Sequence, residues 1–70
     1  MSIDIKQVTE GDLIGHIKTS TAYQYLGKVK CKVDGVWVDM YEYERYFGKQ
    51  ERFCRFEWDF EGFELIGRNI

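Results

Sequence analysis

Seventy residues with a formal net charge of −2 make one small domain, and the acidic balance argues against a dedicated general nucleic-acid binder. A chain of this length buries only about 60% of the surface its unfolded form exposes, so its five Phe, five Tyr and two Trp must carry much of the core. One histidine and two cysteines argue against a structural zinc site, and no stretch is apolar and long enough to span a membrane.

The N-terminus lacks a basic segment followed by an apolar run, so no signal peptide is expected and the chain reads as cytoplasmic. Cys31 and Cys54 are then expected as reduced core thiols. Residues 1–10 form a weakly structured lead-in with Ile3, Ile5 and Val8 available to tether it. "TEGD" (9–12) is a turn before a short apolar segment at Leu13, Ile14 and Ile17, and "KTSTA" (18–22) is a polar loop.

A strand is predicted from about Tyr23 to Val33, and Asp34-Gly35 is a strong signal for a two-residue type I′ hairpin. That turn pairs Val33 with Val36, Cys31 with Val38 and Val29 with Met40, giving an apolar face assigned to the core. On the reverse face Lys32 meets Trp37, Lys30 meets Asp39 and Lys28 meets Tyr41, a cation–π and ion-pair stripe expected to be solvated. "YEYERYFG" (41–48) fits strand or helix by periodicity; strand to about Glu44 followed by a loop is favoured. "ERFCRFE" (51–57) alternates again, with Cys54, Phe56 and Trp58 to one side and Phe53, Arg55 and Glu57 to the other. Gly62 breaks that parity before a last short strand at "FELI" (63–66). The expected class is mainly all-β, a small SH3-like barrel or roll of four to five short antiparallel strands in a single domain, 1–70.

"GDLIGHIK" (11–18), "YQYLG" (23–27), "WVDMYEY" (37–43) and "FCRFEWDF" (53–60) occur in an order that resembles a family of small bacterial and phage proteins known only as a domain of unknown function. Members share a His-x-Lys element, a Tyr-x-x-Leu-Gly strand, a tyrosine-ending strand and an aromatic-x-Arg-x4-Phe element. This chain has Phe56 where the family has Pro, and a tight Asp-Gly hairpin in place of a glutamate-rich insertion. The resemblance implies a β-rich, SH3-like domain and an accessory role such as inhibiting or redirecting a host protein, by analogy alone. It also groups His16, Tyr43 and Arg55 as a candidate binding site.

His16 is the only side chain of general-base type by default, but no nucleophile motif accompanies it, so no catalytic residue and no enzyme activity are expected. Arg55, between Phe53 and Phe56 with Glu57 on its face, reads either as a stacked, paired arginine or as a fork held for a partner's phosphate or carboxylate. "FEWDFEGFE" (56–64) is an acidic edge without a calcium-loop pattern, so neither metal nor cofactor is expected. Lys28, Lys30, Lys32, Trp37 and Tyr41 form the alternative, a weak single-strand nucleic-acid face of basic groups and stacking rings. The leading expectation is a non-enzymatic module that binds a protein, as monomer or homodimer.

Overall fold

Asp34 and Gly35 take φ of 49° and 80°, the two positive values that a type I′ turn requires. The computed structural model describes residues 3–68, with strands β1 (Leu13–His16), β2 (Thr21–Val33), β3 (Val36–Arg45), β4 (Arg52–Arg55) and β5 (Phe63–Gly67). They form one antiparallel sheet in the order β4-β3-β2-β1-β5. A single 3-10 turn, Ile5–Gln7, precedes them, and no helix among the described residues is long and apolar enough to cross a membrane. The segment 41–47 is therefore strand as far as Arg45, then loop.

The hairpin register is the one the turn dictates, from Val33 opposite Val36 through Lys28 opposite Tyr41. It slips by one residue between Tyr25 and Gly27, where a bulge lets Tyr25 pair with Tyr43 while Gly27 pairs with Glu42. Gly27 has φ of 129°, a conformation that side chains rarely adopt, so the backbone requires glycine there, and Glu10 Oε1 would lie 2.7 Å from an added Cβ and would have to swing aside.

The core assignment of the hairpin is corrected. Tyr25, Tyr41 and Tyr43 are buried with Ile5, Ile14, Phe60 and Phe63, whereas Val33 and Val36 are 37% and 62% exposed. Two physical causes act. The bulge switches which alternate residues of β2 face inward, so the Lys28–Lys30–Lys32 side is continuous with the core face. In addition, β2 and β3 outrun their four-residue neighbours, so the far half of the hairpin pairs only with itself and buries neither face. Cys31 and Cys54 are free thiols as expected but are not core: Cys31 is half-buried and Cys54 exposed. Desolvation, the Cys31 thiol and the Glu42 carboxylate push the Cys54 thiol above its ordinary pKa.

Phe63 lies at the centre of the core. The rings of His16, Phe60, Tyr43 and Tyr23 lie 4.8, 5.4, 5.6 and 6.1 Å from it, centroid to centroid. Arg55 Cζ stands 5.1 Å over the same ring, so side chains from both edge strands meet although β4 and β5 do not pair. The sheet thus curls around an aromatic core without closing through its backbone. The lead-in is fixed too: Ile5 is buried, and Ile3 N–H donates to Phe63 C=O across the outer edge of β5. At the following turn, Asp12 is 1% exposed, its carboxylate accepting from Thr9 N–H at 2.9 Å and facing Arg68 at 3.6 Å.

Burial of tyrosines sets a limit in alkali. Burial, with Tyr41 and Glu10 nearby, pushes Tyr25 up to about 12 from 10.0. Burial also raises Tyr43, against the opposing hydrogen bond from Arg55. The unfolded chain releases these protons first as pH climbs past 10, so stability is full below that pH and falls between about 10 and 12. Denaturant midpoints measured across this window should drop, and Tyr25→Phe should show a shallower drop; equal slopes would contradict the assignment.

Candidate functional site

His16, Tyr43 and Arg55, distant in sequence, are brought together around Phe63 by β1, β3 and β4. Each is engaged in contacts within the fold. Arg55 Nε donates to Tyr43 Oη at 2.7 Å, and its Nη1 reaches the Asp59 carbonyl and carboxylate at 3.2 and 3.3 Å. The expected Arg55–Glu57 pairing is replaced: Asp59 is the partner, and Glu57 pairs with Lys6 at 3.5 Å. The chain turns after Arg55, with Asp59 N–H bonding Phe56 C=O, and this carries Asp59 back under the guanidinium.

His16 Nδ1 lies 2.9 Å from Thr19 Oγ1 and its ring packs on Phe63, leaving Nε2 near Gly62. It also borders a cleft of about 330 Å³ whose lining includes Gly15 and Ala22. The cysteines lie on the other side of the sheet, since Cys54 pairs with Glu42 and Cys31 with Val38, away from the Tyr41–Tyr43 face. Among the described residues no three His, Cys, Asp or Glu side chains are grouped to hold a metal.

On the lysine face, Lys32 Nζ stands 5.9 Å over Trp37, and Trp37 is 63% exposed. Lys30 and Lys28 both turn to Asp39, at 3.5 and 3.9 Å. Tyr41, grouped with this face in the sequence, is buried against Tyr25 and Phe60 and offers no ring for stacking. The three lysines stay exposed, and of the two rings assigned to this face only that of Trp37 does.

A different surface emerges along β4. The loop before it carries Tyr46 and Phe47, rings 4.8 Å apart, and Phe47 is 71% exposed. After it, Phe56 and Trp58 stack in parallel at 4.7 Å, with Trp58 78% exposed. Between these two pairs runs a strand hydrogen-bonded on one side only. Its arginines, and Arg45 beside it, are engaged within the chain, with Glu44, Glu51 and Asp59. The edge therefore offers backbone groups and rings beside exposed charges that are paired within the chain. The rings at 46 and 47 were read in the sequence only as strand-or-helix periodicity, which says nothing of exposure. Comparison with protein-family models, curated proteins and solved structures finds no match to this chain.

Proposed function

We propose that this protein is a small non-enzymatic interaction module that takes an extended segment of a partner protein onto the open edge of β4. The observation that carries the reading is the pairing of an uncovered strand edge with exposed aromatic pairs at both of its ends. An added strand would gain main-chain hydrogen bonds from β4, and its side chains would bury Phe47 and Trp58. The opposite edge, at β5, is partly covered by the lead-in through Ile3, which favours β4 as the docking edge. Isolated exposed rings are ordinary, but rings in contact pairs flanking a bare edge in so small a domain are a recognition surface.

The curled sheet, with Arg55 of one edge resting on Phe63 of the other, supports reading it as a half-open SH3-like roll. The family resemblance adds a phage accessory role in which the partner is a host protein. Single-strand nucleic-acid binding is the second reading, favoured only by the exposed Lys32–Trp37 pair.

Capture from bacterial lysate tests the choice. Wild type should retain a discrete protein after nuclease treatment. A variant carrying Phe47→Ser and Trp58→Ser should lose it, while one carrying Lys28→Glu, Lys30→Glu and Lys32→Glu should keep it. Retention that disappears with nuclease and with the lysine changes would move the assignment to the lysine face.

A further inference from the structure

We propose that the cleft between the lead-in and the foot of the β2–β3 hairpin binds a small organic carboxylate. The cleft, about 280 Å³, is lined by Ile5, Lys6, Val8, Tyr25, Lys28 and Tyr41. Its volume lies near the lower limit for ligand sites, which suits a body no larger than one ring.

Two observations point to an anion with an apolar body. Tyr25 and Tyr41 are 5% and 7% exposed, yet neither hydroxyl has a hydrogen-bond partner among the described residues. Among the described residues the only side-chain polar atom sealed from solvent without a partner is Arg45 Nε, so neither hydroxyl is sealed, and both residues line the cleft. A phenol hydroxyl that no protein group engages is free to donate to a charged acceptor, which makes the stronger kind of hydrogen bond. The second observation is charge placement. Lys6 and Lys28 line the cleft, whereas Glu57, Asp39 and Glu10, the carboxylates near them or near Tyr25, do not. Lys28 stands only at the margin of Asp39, which Lys30 approaches more closely, so its ammonium can swing to a ligand. Ile5 and Val8 supply the apolar wall. Glu10, packed over Gly27, is the opposing charge and should weaken the site.

Benzoate is the probe, with benzyl alcohol as its uncharged counterpart, followed by amide NMR shifts on the full chain up to about 20 mM, because so small a ligand binds weakly. Benzoate should shift the amides of residues 5–8, 25, 28 and 41, and benzyl alcohol should not. Tyr25→Phe with Tyr41→Phe removes only the hydroxyls and should weaken benzoate roughly tenfold while leaving the spectrum's dispersion intact. Glu10→Gln should tighten it. Equal shifts from the two probes, no localised shift with benzoate, or unchanged binding by the double Phe variant would each overturn the proposal. None of these outcomes depends on the β4 edge.

Discussion

Phe63→Ala should leave the protein unfolded or nearly so at moderate temperature. Phe63 is 1% exposed and touches rings from three other strands or their loops, as well as the Arg55 guanidinium. Truncating a core Phe costs about 3–5 kcal/mol through lost transfer energy and the cavity left behind. A 70-residue domain holds about 4–10 kcal/mol in total. In a domain this small each kcal/mol moves the melting midpoint by about 4–8 °C, so a drop of some 15–30 °C is expected. Phe63→Leu keeps most of the volume and should lose far less. Near-ultraviolet circular dichroism reads the result directly, because the lost contacts are aromatic. A drop of only a few degrees for Phe63→Ala would mean that the sheet does not curl around this ring.

Arg55→Met should destabilise by about 1–3 kcal/mol, and through Tyr43 rather than through lost charge. The Arg55–Asp59 ion pair is largely solvated and worth little. The 2.7 Å bond to Tyr43 is different, because that phenol belongs to a residue 3% exposed and is stranded without its donor. The same hydrogen bond raises the guanidinium's own pKa, as expected for a bond that favours its charged form. A double-mutant cycle isolates the effect: Tyr43→Phe should be costly in wild type and close to neutral in the Arg55→Met background. Additive costs would contradict the account. Arg55→Lys should not rescue, since one ammonium cannot reach both Tyr43 and the Asp59 carbonyl in the geometry of the fork. Because Asp59 anchors the turn that displays Trp58, Arg55→Met should also weaken partner capture.

The strands were legible where turn chemistry spoke. Asp34-Gly35 dictated seven pairs, from Val33 opposite Val36 to Gly27 opposite Glu42, and Gly62 marked the start of β5. The core face was not legible, for a reason specific to this chain. Alternation alone favours Val29, Cys31, Val33, Val36, Val38 and Met40 as the buried set, and nothing in the spacing reveals a bulge at Leu26-Gly27. The core instead takes tyrosines, whose rings bury more area than valine. His16, Tyr43 and Arg55 were grouped as a candidate binding site by the family resemblance, which did not reveal that all three lie against Phe63. The β4 surface was hidden because strand order, not sequence, decides which edge stays open.

The most direct test of the interaction reading is the captured partner's affinity, measured by calorimetry for wild type and for the variant carrying Phe47→Ser and Trp58→Ser, together with amide exchange across residues 52–55. The account predicts at least a hundredfold loss of affinity, since an aromatic anchor is removed at each end of the strand, and new protection of the outward-facing β4 amides in the wild-type complex. Unchanged affinity, with protection confined to residues 28–41, would contradict it and place the partner on the lysine–tryptophan face instead.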